Sequence, residues 1–87
     1  MSPLKSKAIL LISGAGDSES LAATKNVLTS TLSPFTLNVD DIQSIEMGGR
    51  IILAVQISCD EAHLPAIESD LRTALAPFSL DIASELI

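Results

Sequence analysis

The sequence predicts an α+β fold: one four-stranded antiparallel sheet with two helices on one face, in the order βαββαβ. Three observations carry that prediction. A stretch recurs, LTSTLSPFTLNV at 28–39 and LRTALAPFSLDI at 71–82. It places Leu28 on Leu71, Leu32 on Leu75, Pro34 on Pro77, Phe35 on Phe78, Leu37 on Leu80 and Val39 on Ile82. The same offset carries Ile9 onto Ile52, Asp17 onto Asp60 and Leu21 onto Leu64, so the whole chain reads as βαβ written twice. Two strand-like runs are apolar almost throughout and two carry acids, the pattern of inner and edge strands. Two split βαβ units sharing one sheet make the ferredoxin-like arrangement, and right-handed crossovers set its hand.

The elements follow in order. Residues 8–13 (AILLIS) are a short apolar run, rich in branched residues and too brief for a helix, which reads as a buried strand. Gly14-Ala15-Gly16-Asp17 then breaks the chain. Asp17 or Ser18 caps a helix, and Glu19 suits its positive first turn. Leu21, Thr24, Leu28 and Leu32 form one helical stripe, and Pro34 ends it. Residues 36–47 alternate as a strand. Leu37, Val39, Ile45 and Met47 are expected on one face and Thr36, Asn38, Asp40 and Glu46 on the other. Ile42 breaks the phase, which predicts a bulge near Asp40-Asp41-Ile42. Gly48-Gly49 is a tight hairpin signal, because both central residues of such a turn take positive φ. Residues 51–58 (IILAVQIS) form the second inner strand. Asp60 caps a second helix with Pro65 in its first turn, where the missing N–H matters least. Its stripe is Leu64, Ile67, Leu71, Ala74 and Leu75, and Pro77-Phe78 ends it. Residues 79–86 alternate as the last strand, with Leu80, Ile82 and Leu86 inward.

Bulk composition narrows the function. Residues 1–6 read as a flexible, disordered start and 7–87 as one domain. Only 2 Phe and no Trp or Tyr are present, so the core is aliphatic. A formal net charge of −6 argues against nucleic acid and against an anionic membrane, since both need basic surface. A single cysteine, Cys59, excludes an internal disulfide and a multi-cysteine metal site, and favours a reducing compartment. The apolar run at 8–12 is too short to span a bilayer. The expectation is a soluble, cytoplasmic domain. Helices on one side only leave the other sheet face open, with Ile52, Ala54, Gln56 and Ser58 on it. A bulky apolar pair, either Ile9 and Leu11 or Leu10 and Ile12, lies beside them. Such a patch marks a partner surface.

Two candidate sites emerge. Gly14, Ala15, Gly16 and Asp17 join strand to helix, where glycine lets a ligand approach the backbone and a helix start offers N–H groups to an anion. The plain alternative is a strand-to-helix turn with a capping Asp. A dinucleotide fingerprint is excluded, because the third glycine is missing. Asp40 and Asp41, together with Asn38, offer side-chain oxygens to a cation or an ammonium group; the plain alternative is edge-strand charge that blocks unwanted pairing. Cys59 and His63 lie four apart, but Asp60 and Glu61 intervene and no third catalytic member is present, so they read as an inert thiol and a surface His. A phosphate-hydrolase site on this scaffold needs an Arg in the first loop, and there is none. No catalytic residue and no metal ligand set is expected in this chain.

The chain resembles ACT domains, most of all the ACT-like domain at the N-terminus of bacterial phosphoserine phosphatases. That pattern has a Gly-x-Asp-Arg-Pro-Gly-like loop, a helix, and a stretch of the type Asp-Val-x-Gln-x-x-x-x-Gly-Arg-Leu-x-Leu-x-Val. Here Asp41, Ile42, Gly49, Arg50, Ile51, Leu53 and Val55 stand in its register, and Ser44 stands where the family has Gln. The first loop keeps a glycine and Asp17 and lacks the Arg-Pro-Gly. The resemblance implies a regulatory, non-catalytic module of serine biosynthesis that forms a homodimer or docks on a C-terminal catalytic domain. It implies serine or another small amino acid held by Gly14, Ala15, Gly16 and Asp17, with Asp41 as a further contact. It also implies a haloacid-dehalogenase-type hydrolase, with magnesium, as that neighbouring domain. The ending Glu85-Leu86-Ile87 on the last strand reads as a domain boundary. The alternative is a structural docking domain, or a stand-alone ACT regulator, that binds no small molecule.

Overall fold

In the computed structural model, residues 6–87 are described. The elements are β1 (Ser6–Ala15), α1 (Ser18–Leu32), β2 (Leu37–Met47), β3 (Arg50–Cys59), α2 (Leu64–Leu75) and β4 (Asp81–Leu86). The sheet runs β2-β3-β1-β4, with every neighbouring pair antiparallel. The two apolar runs are therefore the inner strands and the two acidic ones the edges. The expected flexible start falls on residues outside those described, except Ser6, which already pairs with Cys59 in β1.

Alternation along the inner strands decides what the helices cover. Leu10 and Ile12 of β1, with Leu53, Val55 and Ile57 of β3, point to the helices and are fully buried. Leu28 and Leu32 of α1 meet them, as do Ile67, Leu71 and Leu75 of α2. Burial of each such side chain is worth about 1.5–3 kcal/mol before the cost of ordering it. Phe35 and Phe78 are only partly buried and pack against the rim of this cluster. The one polar side chain deep in α1 is Thr24, whose hydroxyl donates to the Ser20 carbonyl at 2.7 Å. No buried side-chain N or O among the described residues lacks a partner.

The helix ends follow local chemistry. Asp17 caps α1, its carboxylate accepting from the Ser20 backbone N–H at 3.0 Å. Asp60 caps differently from expectation. It accepts from the Ala62 N–H and starts a single 3₁₀ turn over Glu61–His63, from which α2 continues with Pro65 in its first turn. The hairpin turn is as expected: Gly48 has φ 59° and Gly49 φ 76°, and a β-carbon at either would be strained.

Two sequence expectations need correction. Gly14 and Ala15 do not break the chain. They belong to β1 and pair with Ile51 and Arg50 of β3, because the long β2–β3 hairpin continues to offer backbone partners that far. The second concerns β2. The bulge lies where expected, with the register shifting between Val39 and Asp41. Asp40 is the extra residue, and its carboxylate accepts the Ser58 hydroxyl at 2.5 Å. Past it the strand changes phase. Leu37 and Val39 stand opposite Cys59 and Ile57, on the helix side, and so does Ile42 opposite Val55. Ile45 and Met47, however, stand opposite Ile52 and Arg50, on the open side. They were expected with Leu37 and Val39; one inserted residue moves every later side chain to the other face.

Deleting Asp40 should therefore regularise β2 and leave the pairs Val39–Ile57 and Ile42–Val55 intact. Cross-strand nuclear Overhauser contacts check this. Loss of the Ile42–Val55 contact would contradict the bulge assignment.

Candidate functional site

The first candidate group sits where β1 passes into α1. Gly14 is not there for unusual dihedrals; neither it nor Gly16 has positive φ. Its reason is space. A β-carbon on Gly14 would stand 2.5 Å from Leu80 Cδ2 and 3.3 Å from the Ser79 carbonyl oxygen. The gap that the sequence leaves open for a ligand is occupied by the approach to β4. A β-carbon on Gly16 would stand 2.9 Å from Ser20 Cβ and 3.4 Å from Ile51 Cδ1. The Gly16 N–H is also engaged, donating to the Gly49 carbonyl at 2.9 Å, which ties the turn to the hairpin tip.

Asp17 is the polar member of the group. Its Oδ1 accepts both the Ser20 N–H and the Ser20 hydroxyl, at 3.0 and 3.1 Å. These bonds, the backbone one first, hold its pKa below the ordinary carboxylate value. Oδ2 takes none of the hydrogen bonds found among the described residues.

Asp41 lies elsewhere. It pairs with Gln56, which pairs with Ile9, whereas Ala15 pairs with Arg50. The strand distance between those two levels is about 20 Å. Within one chain the structure does not bring Asp41 to the turn. Asp41 faces the open side, where its Oδ2 accepts from Gln43 Nε2 at 3.2 Å. Together with Ile9, Gln43, Ala54 and Gln56 it lines a small hollow of about 100 Å³.

The open sheet face is the larger feature. Level by level it presents Met47 and Arg50 beside Ala15, then Ile45, Ile52, Ser13 and Asp81. Next come Gln43, Ala54, Leu11 and Ala83, then Asp41, Gln56, Ile9 and Glu85. The bulky members are exposed: Met47 by 72%, Ile45 by 53%, Ile52 by 45% and Leu11 by 42%. Ile45, Met47, Arg50 and Ile52 border a depression of about 350 Å³. The β1 pair on this face is Ile9 and Leu11, since Leu10 and Ile12 are buried. Sequence reasoning found the β1 and β3 members but missed Ile45 and Met47; only the phase change at Asp40 reveals them. A second groove, of about 230 Å³, lies on the helix side between α1 and β2, with Leu28, Leu32, Phe35, Leu37 and Ile42 in its walls.

The other reactive groups are spoken for. Cys59 is buried, and burial, with the neighbouring Asp60 charge, pushes its thiol pKa up and away from nucleophilic use. His63 is exposed. Glu68 accepts the Ser84 hydroxyl and pairs with Arg72 at 2.7 Å, and Arg72 reaches the Ile82 carbonyl at 3.4 Å. This clamps α2 to β4. The Ser84 bond first, then Arg72, holds the Glu68 pKa below its ordinary 4.5. Among the described residues, no group of three or more His, Cys, Asp or Glu side chains is placed to hold a metal. Nor is any described helix long and apolar enough to cross a membrane.

An ACT domain family model matches residues 8–85. No curated protein matches the chain by sequence. Several solved structures are similar. An unknown protein from Galdieria sulphuraria is 17% identical with a TM-score of 0.75, over 94% of this chain and 44% of that one. An ACT domain protein from Streptococcus pneumoniae is 20% identical with a TM-score of 0.69, over 93% of this chain and 89% of that one. A formyltetrahydrofolate deformylase from Pseudomonas putida is 17% identical with a TM-score of 0.74, over 91% of this chain and 28% of that one. At these identities the likeness shows the fold. Two of the three proteins are more than twice as long as the part this chain covers.

Two predictions follow from the geometry. Gly16→Ala should destabilise by about 1–3 kcal/mol, and more than Gly14→Ala, because Ser20 Cβ is fixed to a helix backbone while Leu80 Cδ2 can rotate away. Urea unfolding ranks the two; equal or reversed effects would contradict the close approach. A carboxyl whose folded pKa is depressed gives stability that is fully present above its unfolded value and lost as pH falls through the folded one. The Glu68 clamp should thus weaken on acidification below pH 4.5. Glu68→Gln should lower neutral-pH stability and flatten that acid limb in a series of unfolding curves.

Proposed function

The chain belongs to the ACT domain family, and from that premise we propose that it acts as an assembly module. It senses or transmits a regulatory state and performs no chemistry itself. ACT domains are non-catalytic regulatory domains that commonly dimerise and bind amino acids. The observation that carries the reading is the one-sided sheet. Its free face presents four bulky apolar side chains at Leu11, Ile45, Met47 and Ile52, which a solitary small domain has no reason to hold in water. Assembly through that face gives them a use.

The ligand side of the proposal is a small amino acid, serine first among them, at the β1–α1 turn. Asp17 Oδ2 would receive its ammonium group. Gly16 would let the ligand lie close to the backbone, with Gly14 and Ala15 forming the strand behind it. Asp41 contributes only from a neighbouring molecule, since its own chain holds it about six strand residues away from that turn. The rival reading, docking without a ligand, draws on the engaged Gly16 N–H and on the absent Arg-Pro-Gly. A phosphoserine phosphatase parent, with a magnesium-dependent catalytic domain beyond this one, rests on the Asp41–Val55 pattern alone.

Calorimetric titration with serine and a panel of small amino acids tests the ligand reading. The expected result is saturable binding to one of them that Asp17→Ala removes. Heat-silent titrations across the panel would overturn it in favour of docking alone.

A further inference from the structure

We propose that the open face docks a second copy of this chain, sheet on sheet with strands antiparallel, centred on β3 between Ile52 and Ala54. Charge and shape on that face select this arrangement. Packed sheets stand about 10 Å apart with strands nearly aligned, so which residues meet depends on where the two-fold axis lies.

Consider the axis running across the strands between the levels of Ile52 and Ala54. Each strand then lies over the same strand of the other copy. Ile52 meets Ala54, Ile45 meets Gln43, and Leu11 meets Ser13. The level of Met47 and Arg50 falls on the level of Asp41 and Gln56. Arg50 of one copy therefore arrives one strand away from Asp41 of the other, and symmetry makes the pair twice. No acid meets an acid.

Now consider the axis running along the strands. β2 lies over β4, so Asp41 meets Glu85 and Ile45 meets Asp81 at matching levels. The Asp41–Glu85 repulsion disfavours that choice, whereas Ile45 on Asp81 is matched by Met47 on Asp41 about the first axis and does not separate the two. The face is self-complementary in one orientation and self-repelling in the other.

Size is sufficient. Four strands spaced about 4.8 Å apart, over roughly eight residues of strand, project about 500–600 Å² per copy. Two copies together exceed the roughly 1,000 Å² that a specific contact needs, but not by much. The contact is thus one that dissociates on dilution. It also carries Asp41 of the second copy to the end of the sheet where the β1–α1 turn begins.

This inference rests on reading the domain as an assembly module, and the test separates the two. Sedimentation velocity over a dilution series should show a monomer–dimer equilibrium for the wild-type chain. Ile52→Asp should leave only monomer while far-ultraviolet circular dichroism stays unchanged. Arg50→Glu and Asp41→Arg should each raise the dimer dissociation constant about tenfold or more. Combined in one chain, they should restore it to within about threefold of wild type. A dimer indifferent to Ile52→Asp would overturn this face and leave the assembly reading standing. A double variant no tighter than the single ones would overturn the orientation. A wild-type chain that stays monomeric throughout would overturn both the face and the assembly reading.

Discussion

A four-stranded sheet with two helices can bury only one of its faces, and the rest of this molecule answers to that constraint. The covered face takes the whole aliphatic core: Leu10 and Ile12, Leu53, Val55 and Ile57, closed by Leu28, Ile67, Leu71 and Leu75. With Phe35 and Phe78 only partly buried at its rim, the core is filled by these medium aliphatic side chains at short range. That is why a missing β-carbon matters at Gly14 and Gly16, where β1 must come close to Leu80 and to α1. The uncovered face leaves Leu11, Ile45, Met47 and Ile52 exposed.

The composition of that face depends on one residue. Asp40 is inserted into β2, anchored to Ser58, and reverses the phase of everything between it and the hairpin. Were β2 to run on from Val39 in unbroken alternation with Asp40 paired, Ile45 and Met47 would stand on the helix side. With the insertion they join Ile52 and Leu11 in a continuous apolar band. The bulge also places Asp41, rather than Asp40, among the open-face residues, opposite Gln56. The same device that bends an edge strand thus supplies both an apolar centre and an acid to a surface whose counter-charge, Arg50, lies three levels away.

Much of this was legible in the sequence. The repeated Leu-Pro-Phe-Leu stretch, the two apolar runs and Gly48-Gly49 lead to the strand order and the hairpin, because each reports a local preference that the fold then satisfies. The bulge was legible as a broken alternation at Ile42. Its consequence was not, because period-two patterns on the two sides of an inserted residue look identical until the partner strand is known. Gly14 misled for a related reason: glycine marks both loops and close approaches, and only Leu80, distant in sequence, distinguishes them. The candidate ligand residues were found as types, a glycine turn and an acid. Their separation along the sheet could be read only from the register of β1 against β3 and of β3 against β2.

The central claim is that Ile45 and Ile52 lie on the uncovered face and are hidden only by a second copy. Methyl-resolved NMR with a soluble paramagnetic agent tests it directly. The Ile51, Ile57 and Ile67 methyls should stay protected at every concentration, while those of Ile45 and Ile52 should be bleached in dilute samples and protected in concentrated ones. Ile45 or Ile52 methyls protected at all dilutions, or bleached at all concentrations, would contradict the account.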